Sequence, residues 1–326
     1  LNCFFGQFFL QGCGAILSQG TNQACLGLSR FRVPGKNCQL INQMYAFHPV
    51  FIRVLLLADA SFQVLQELCT MNGKKRKKNS SNANNRRTYR QVVAADGLVS
   101  SFVTVKETDL HILATRNIAE ECYLYVHRYR NQLENYINAH PDFLTALVPL
   151  AQDTLAPPMV KGMLTAAAAA NVGPMAAVAG AIAEYVGRDL LDSGLHEIMV
   201  ENGGDIFLKR NKDCVAAIFA GQSPLNQKVG ISIPATLMPV GLCTSSGTIG
   251  HSLSLGKADS VTVLAPSALL ADAAATRLGN EVSTANKKNI NKALTLARSI
   301  SGLLGVVIIC GKQMGVWGEI DLVGLH

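Results

Sequence analysis

From Gly241 to Asn280 the chain runs from a hydroxyl-and-glycine loop through one strand into one helix, with possible chemistry concentrated at both ends of that run. The loop is Thr244-Ser245-Ser246-Gly247-Thr248, with His251 just beyond it. Ser260 to Ala265 alternates and is β-branched, which predicts a buried strand. Pro266-Ser267 then opens a helix with Ser267 as N-cap, and Gly279-Asn280 closes it. Asp272 and Thr276, four apart, share a face of that helix. Glycines and hydroxyls let a backbone come close to phosphate oxygens. A carboxylate–hydroxyl pair suits a hard cation. One strand therefore separates a possible phosphate loop from a possible metal pair.

The remaining pattern mixes helices with hairpins. A strand pair is predicted over 91–105, turning at Ala95-Asp96-Gly97, and a short strand over 109–115. An amphipathic helix over 117–139 stops at His140-Pro141. Helices follow over 159–171 and 175–191. Strands over 197–200 and 206–209 flank Asn202-Gly203-Gly204-Asp205, which alone makes a good tight turn. Further strands are expected over 214–220 and 229–233, then a helix over 287–300 and a closing hairpin from 305–310 and 314–318. Strands and helices do not alternate strictly, so the fold class is α+β, with a largely antiparallel sheet packed with helices.

Of the 326 residues, 49% are hydrophobic and 16% charged, ample for a buried core. The net charge of +7 is unevenly placed. Residues 1–90 carry 12 Lys and Arg against 2 Asp and Glu; residues 91–326 carry 17 against 20. The larger part is thus slightly acidic, which argues against nucleic acid as its partner. No pair among the 9 cysteines shows C-x-x-C spacing, so neither a zinc site nor a redox motif is expected, and the setting reads as reduced and cytoplasmic. Gly162 to Ala183 has no charge, but Asn171 and Pro174 interrupt it, so it reads as an Ala-rich helix pair and not as a transmembrane segment. Leu10-Gln11-Gly12-Cys13 loosely matches a lipoprotein site, which leaves anchoring at Cys13 as the weaker alternative location. Lys74 to Lys78 and the Ser/Asn tract behind them read as a solvated linker. Residues 1–86 are accordingly assigned to an N-terminal extension with a basic linker, disordered or outside the core fold, and 87–326 to the globular domain.

Three motifs together resemble the ApbE superfamily, the FAD:protein FMN transferases. They are Asn202-Gly203-Gly204-Asp205-Ile206, Thr244-Ser245-Ser246-Gly247, and Ser260-Val261-Thr262-Val263 continuing to Ala271-Asp272-Ala273-Ala274-Ala275-Thr276. Tyr89-Arg90, Val93 to Gly97, Lys106-Glu107-Thr108-Asp109-Leu110 and Ala179 to Gly187 extend the resemblance to an uncharacterised branch of that superfamily, over about residues 87–323. The resemblance implies an ApbE/T-fold-like α+β domain. It implies FAD or FMN as ligand, contacted by Gly180, Glu184, Asn202, Gly203, Gly204, Asp205, Thr244, Ser245, Ser246 and Gly247. It implies Mg2+ held by Asp272 and Thr276, and an acceptor protein whose Ser or Thr hydroxyl receives FMN as AMP leaves. His251 is the candidate general base.

The chain also departs from the family pattern. Where the family usually has Lys-Gly-Tyr-Ala-x-Asp, Ala179 stands at the lysine position and Glu184 at the aspartate. The family's His-x-x-Asp-Pro-x-Thr-Gly loop is cut down to His251 followed by Ser252 to Asp259. Two functions therefore stand side by side: a magnesium-dependent FAD:protein FMN transferase, and a nucleotide-binding or structural protein that keeps the fold without the transfer.

Overall fold

A computed structural model describes residues 97–247 and 256–325, all within the second of two units into which the chain divides, Ser81–His326. The N-terminal extension, the 91–96 part of the first expected strand pair, Thr248 and His251 lie outside the described residues.

β1 (Val99–Val105) and β2 (Thr108–Ala114) form a hairpin closed by Lys106-Glu107, with Lys106 at φ 51°. α1 (Ala119–Ala139) buries Cys122, Tyr123, Val126, Tyr129 and Leu133, a helical stripe. The short α2 (Asp142–Thr145) follows. α3 (Pro158–Ala170) starts at a proline, whose missing N–H has no helical partner in the first turn, and ends at Asn171 in the left-handed conformation, φ 55°. A 3₁₀ turn at Pro174–Ala177 leads into α4 (Val178–Asp192). α3 meets the 174–192 segment at 105°, and no single helix among the described residues is long and apolar enough to cross a membrane.

β3 (Ile198–Asn202) and β4 (Asp205–Lys209) come next, then β5 (Cys214–Ala217), β6 (Val229–Ile233), β7 (Val240–Ser245) and β8 (Ser260–Ala265). α5 (Ala268–Glu281), α6 (Lys287–Ala297), β9 (Gly305–Cys310), β10 (Gln313–Gly318) and β11 (Asp321–Gly324) complete the described chain.

An eight-stranded sheet in the order β1-β2-β3-β4-β7-β8-β9-β10 is antiparallel throughout. The class is α+β, as the mixed pattern predicts. α1, α4, α5 and α6 pack on one face. Glycines mark where helix and sheet come closest: a Cβ on Gly187 of α4 would lie 2.3 Å from the Phe207 ring, and one on Gly241 of β7 would lie 2.2 Å from Ala268 Cα. A three-stranded antiparallel sheet, β11-β6-β5, has its own inward residues, Ile231 and Ile233. These join Leu208, Val240, Leu242, Leu264, Val307 and Ile309 in one core on the other face of the large sheet.

α5 runs on to Glu281, past the expected stop at Gly279-Asn280. Glu281 pairs with Arg277 one turn back and with Lys292 of α6, and Val282 behind it is fully buried. These contacts keep the last turn wound. Lys292 and Arg277 hold the Glu281 carboxyl below its usual range. The stability this adds is present above the unfolded carboxylate value of about 4.3 and is lost as pH falls through the lower folded value. Glu281→Gln is expected to lower stability at pH 7 by about 0.5–1 kcal/mol. In urea melts the difference from wild type should shrink as pH falls through the folded value; a difference that does not change with pH would show that charge is not its origin.

Candidate functional site

The site builds from the β3–β4 hairpin. Asn202 and Asp205 pair across a two-residue loop, Gly203-Gly204, with φ of 71° and 113°. Positive φ at both positions is what a type I′ turn demands, and glycine meets it without steric cost. The alternation of the strands puts Asn202 and Asp205 on the helical face of the sheet. Asn202 donates its side-chain N–H to the Ala179 carbonyl at 3.2 Å, which ties the hairpin to the start of α4. Glu201 points the other way, and its carboxylate accepts the Gly204 N–H at 2.8 Å.

Register aligns Asp205 with Cys243 of β7 and Cys243 with Val263 of β8. Cys243 donates to the Ala268 carbonyl at the start of α5, 3.3 Å away. One turn along α5, the Asp272 carboxylate accepts the Gly180 N–H at 2.9 Å, and the Ala179 N–H also bonds to it. Gly180 is required here, because a Cβ would lie 2.2 Å from the Ala268 carbonyl oxygen. Asp205, Cys243, Asp272 and the first turn of α4 thus converge at one end of the large sheet.

The electrostatics of this cluster follow from burial. Asp205 and Asp272 are each 9% exposed. Burial, and then the charge of Asp272, pushes the Asp205 carboxyl well above its usual range, against hydrogen bonds from Cys243 and the Thr244 backbone. Burial likewise pushes Asp272 up, to about 7, against its bonds from Gly180 and Ala179. Burial and the two carboxyls raise the Cys243 thiol, which keeps it protonated and unreactive. The place of Cys243 between the acids comes from strand register.

The other expected residues divide. Thr276 is half-buried on α5, one turn beyond Asp272. Ser245 ends β7 on the helical face, opposite Val261. Thr244 faces the opposite side of the sheet. Its hydroxyl bonds to Thr262 at 3.0 Å, and Thr262 bonds to Ser260 at 3.1 Å, a hydroxyl ladder the linear motif does not reveal. Ser246 lies beyond the strand end. The Gly247 N–H is bonded to the Ala258 carbonyl at 3.0 Å, and a Cβ there would lie 2.1 Å from the Gly256 carbonyl oxygen. The amides of Gly204 and Gly247 are therefore already engaged within the protein, as is the Thr244 hydroxyl. Glu184 is buried inside the helical layer. It accepts from Ser267 Oγ at 2.8 Å and from the Ala268 N–H at 2.6 Å. Ser267 thus sits at the N-cap position, as expected, but the cap is supplied from α4.

Together these features define an α+β protein with a buried acidic pair beside a hydroxyl-bearing loop, at one end of an antiparallel sheet. Residues 90–315 match the model of the family described as AbpE bacteria, and the chain belongs to this ApbE-like family. It is 38% identical over 229 residues to a UPF0280 protein of Methanococcus aeolicus, covering 68% of this chain and 91% of the relative. It is 41% identical over 205 residues to a UPF0280 protein of Methanocaldococcus jannaschii, covering 62% and 82%. Among solved structures, the apo flavinyl transferase ApbE of Pseudomonas stutzeri aligns over 68% of this chain and 93% of its own, at 14% identity and a TM-score of 0.47.

Proposed function

We propose that this protein binds a flavin nucleotide, FAD or FMN, together with Mg2+ at the Asp205–Asp272 cluster, and transfers FMN from FAD to a Ser or Thr hydroxyl of a partner protein. The carboxyl pair carries this reading. Both carboxyls are buried and pushed up, and no ion pair reaches either among the described residues. Like charges buried together need a proton or a cation to offset them. The donors suit Mg2+: two hard carboxylates and the Thr276 hydroxyl. Mg2+ keeps part of its shell for water and phosphate oxygen, so an incomplete set of protein ligands fits it.

When bound, Mg2+ would supply positive charge against the diphosphate. The chain's own residues do the rest. Asp272 and Thr276 would hold the ion from α5, with Asp205 on β4 beside them. Ser245 and Ser246 offer hydroxyls to phosphate oxygens, and Asn202 fixes the hairpin against α4. In the transfer, the acceptor oxygen bonds to the FMN phosphorus, the bond to the AMP oxygen breaks, and the acceptor proton goes to a base, for which the sequence offers His251.

Ala179 favours a second reading, binding without transfer. It stands where the family usually carries lysine and brings no charge toward a phosphate. One experiment separates the two. The full chain is given FAD with and without Mg2+, and bound flavin absorbance and AMP release are followed with a hydroxyl-bearing acceptor peptide. Magnesium-dependent flavin binding with AMP release is expected. Bound flavin without AMP supports the second reading, and no bound flavin overturns both.

A further inference from the structure

We propose that Glu184 is a positioning residue for Asp272, acting by fixing α4 against α5; this rests on the reading of Asp272 as a metal-holding carboxylate. Glu184 is 4% exposed, yet both of its oxygens are engaged. Oε2 takes the Ala268 N–H at 2.6 Å and the Ser267 hydroxyl at 2.8 Å. Oε1 takes Arg188 Nε at 2.9 Å and Nη2 at 2.7 Å. The Ser267 side chain makes no cap bond to its own helix. Glu184 therefore closes the N-terminus of α5 from outside, where a negative charge is favoured by the helix dipole.

Asp272 does the same for α4. Its Oδ2 accepts the Gly180 N–H at 2.9 Å in the first turn of that helix. Each helix thus caps the N-terminus of the other with a carboxylate. The two ties, Glu184 to Ala268 and Asp272 to Gly180, run in opposite directions along the crossing. Between them lies the contact of Gly180 on the Ala268 carbonyl, with no room for a Cβ. One tie would leave the helices free to pivot about it; two fix their register. Asp205 is set by the strand ladder of β3, β4 and β7. Cys243 ties the same turn of α5 to the sheet through the Ala268 carbonyl, and the Glu184 tie adds the hold of α4 on that turn, so both set the placement of Asp272 opposite Asp205. In this role Glu184 touches neither metal nor nucleotide.

The test is Mn2+ binding to the full chain, wild type and Glu184→Gln, read from the loss of the free-ion EPR signal, with near-UV circular dichroism as the check on folding. Gln keeps an acceptor for Ala268 but loses the charge that Arg188 and the helix end hold. Affinity is expected to fall about 10- to 100-fold, the range for groups that orient a metal ligand. A folded variant with unchanged Mn2+ affinity overturns the proposal, even if its melting temperature drops, because Glu184 would then be a helix cap only. If Glu184→Gln does not fold, Ser267→Ala takes its place, removing one donor and leaving the carboxylate. It is expected to weaken Mn2+ about threefold, the worth of one ordinary hydrogen bond; unchanged affinity there likewise overturns the proposal. A wild-type protein that binds no Mn2+ refutes the metal reading of Asp272, and this proposal with it.

Discussion

Asp272→Asn is expected to abolish magnesium-dependent flavin binding while leaving the metal-free protein at least as stable as wild type at neutral pH. Asparagine keeps an oxygen to accept the Gly180 N–H, so α4 retains its cap. What disappears is a charge that burial disfavours and that raises the neighbouring Asp205 carboxyl. The loss of flavin binding should exceed the roughly 100-fold seen for groups one shell further out. The pH dependence has a definite sign. Asp272 has its carboxyl raised in the folded state, to about 7. A raised carboxyl favours folding fully below its unfolded value of about 3.9, and that contribution is lost as pH rises through the folded value. The variant has no such loss. In metal-free urea melts it should therefore gain on wild type between about pH 4 and the folded value, and Mg2+ should stabilise only wild type. Asp272→Ala is the contrast. It also removes the acceptor, leaving the Gly180 and Ala179 amides without it, at about 1–3 kcal/mol. Magnesium-dependent flavin binding that survives Asp272→Asn would remove Asp272 from the metal.

Gly180→Ala is expected to be the most damaging small substitution in the site. The added carbon would lie 2.2 Å from the Ala268 carbonyl oxygen and 2.9 Å from Asp272 Cβ. The nearest atom is helix backbone, which cannot swing away as a side chain tip can. α4 and α5 must separate, which stretches both carboxylate caps at once. Overpacking of this kind costs about 1–3 kcal/mol, and the added strain on the caps puts this case at about 3 kcal/mol or more. Thermal unfolding reads it directly, and Mn2+ affinity should fall with it. A melting temperature equal to that of wild type would mean that the crossing is looser than its geometry indicates.

Much of the fold is legible because it is written in short-range pattern. Ser260 to Ala265 alternates and forms β8; the Gly203-Gly204 pair sits between two strands and closes them. The Asp272 and Thr276 spacing puts both on one helix, and the same local strings carry the family resemblance. Helix ends are less legible. α5 passes Gly279-Asn280 because Lys292, on the next helix, holds Glu281, a contact that propensity cannot register.

The site shows the same division more sharply. The sequence by itself put Asp272 on a helix and Asn202 and Asp205 about a turn between two strands, and joined these to a run of hydroxyls; it read Thr244 and Ser245 as loop, where pairing with β8 makes them the end of strand β7. Only the tertiary structure decided which of these side chains meet. Strand register turned the Thr244 hydroxyl to the face away from Asp272 and brought Cys243 beside Asp205. A helix crossing set Glu184 on the N–H of Ala268, 84 residues away along the chain. Local sequence sets backbone conformation through steric preference and periodicity, which act over a few residues. Which faces meet is set by pairing and packing between segments far apart in the chain, and the charges of this site take their chemistry from that burial.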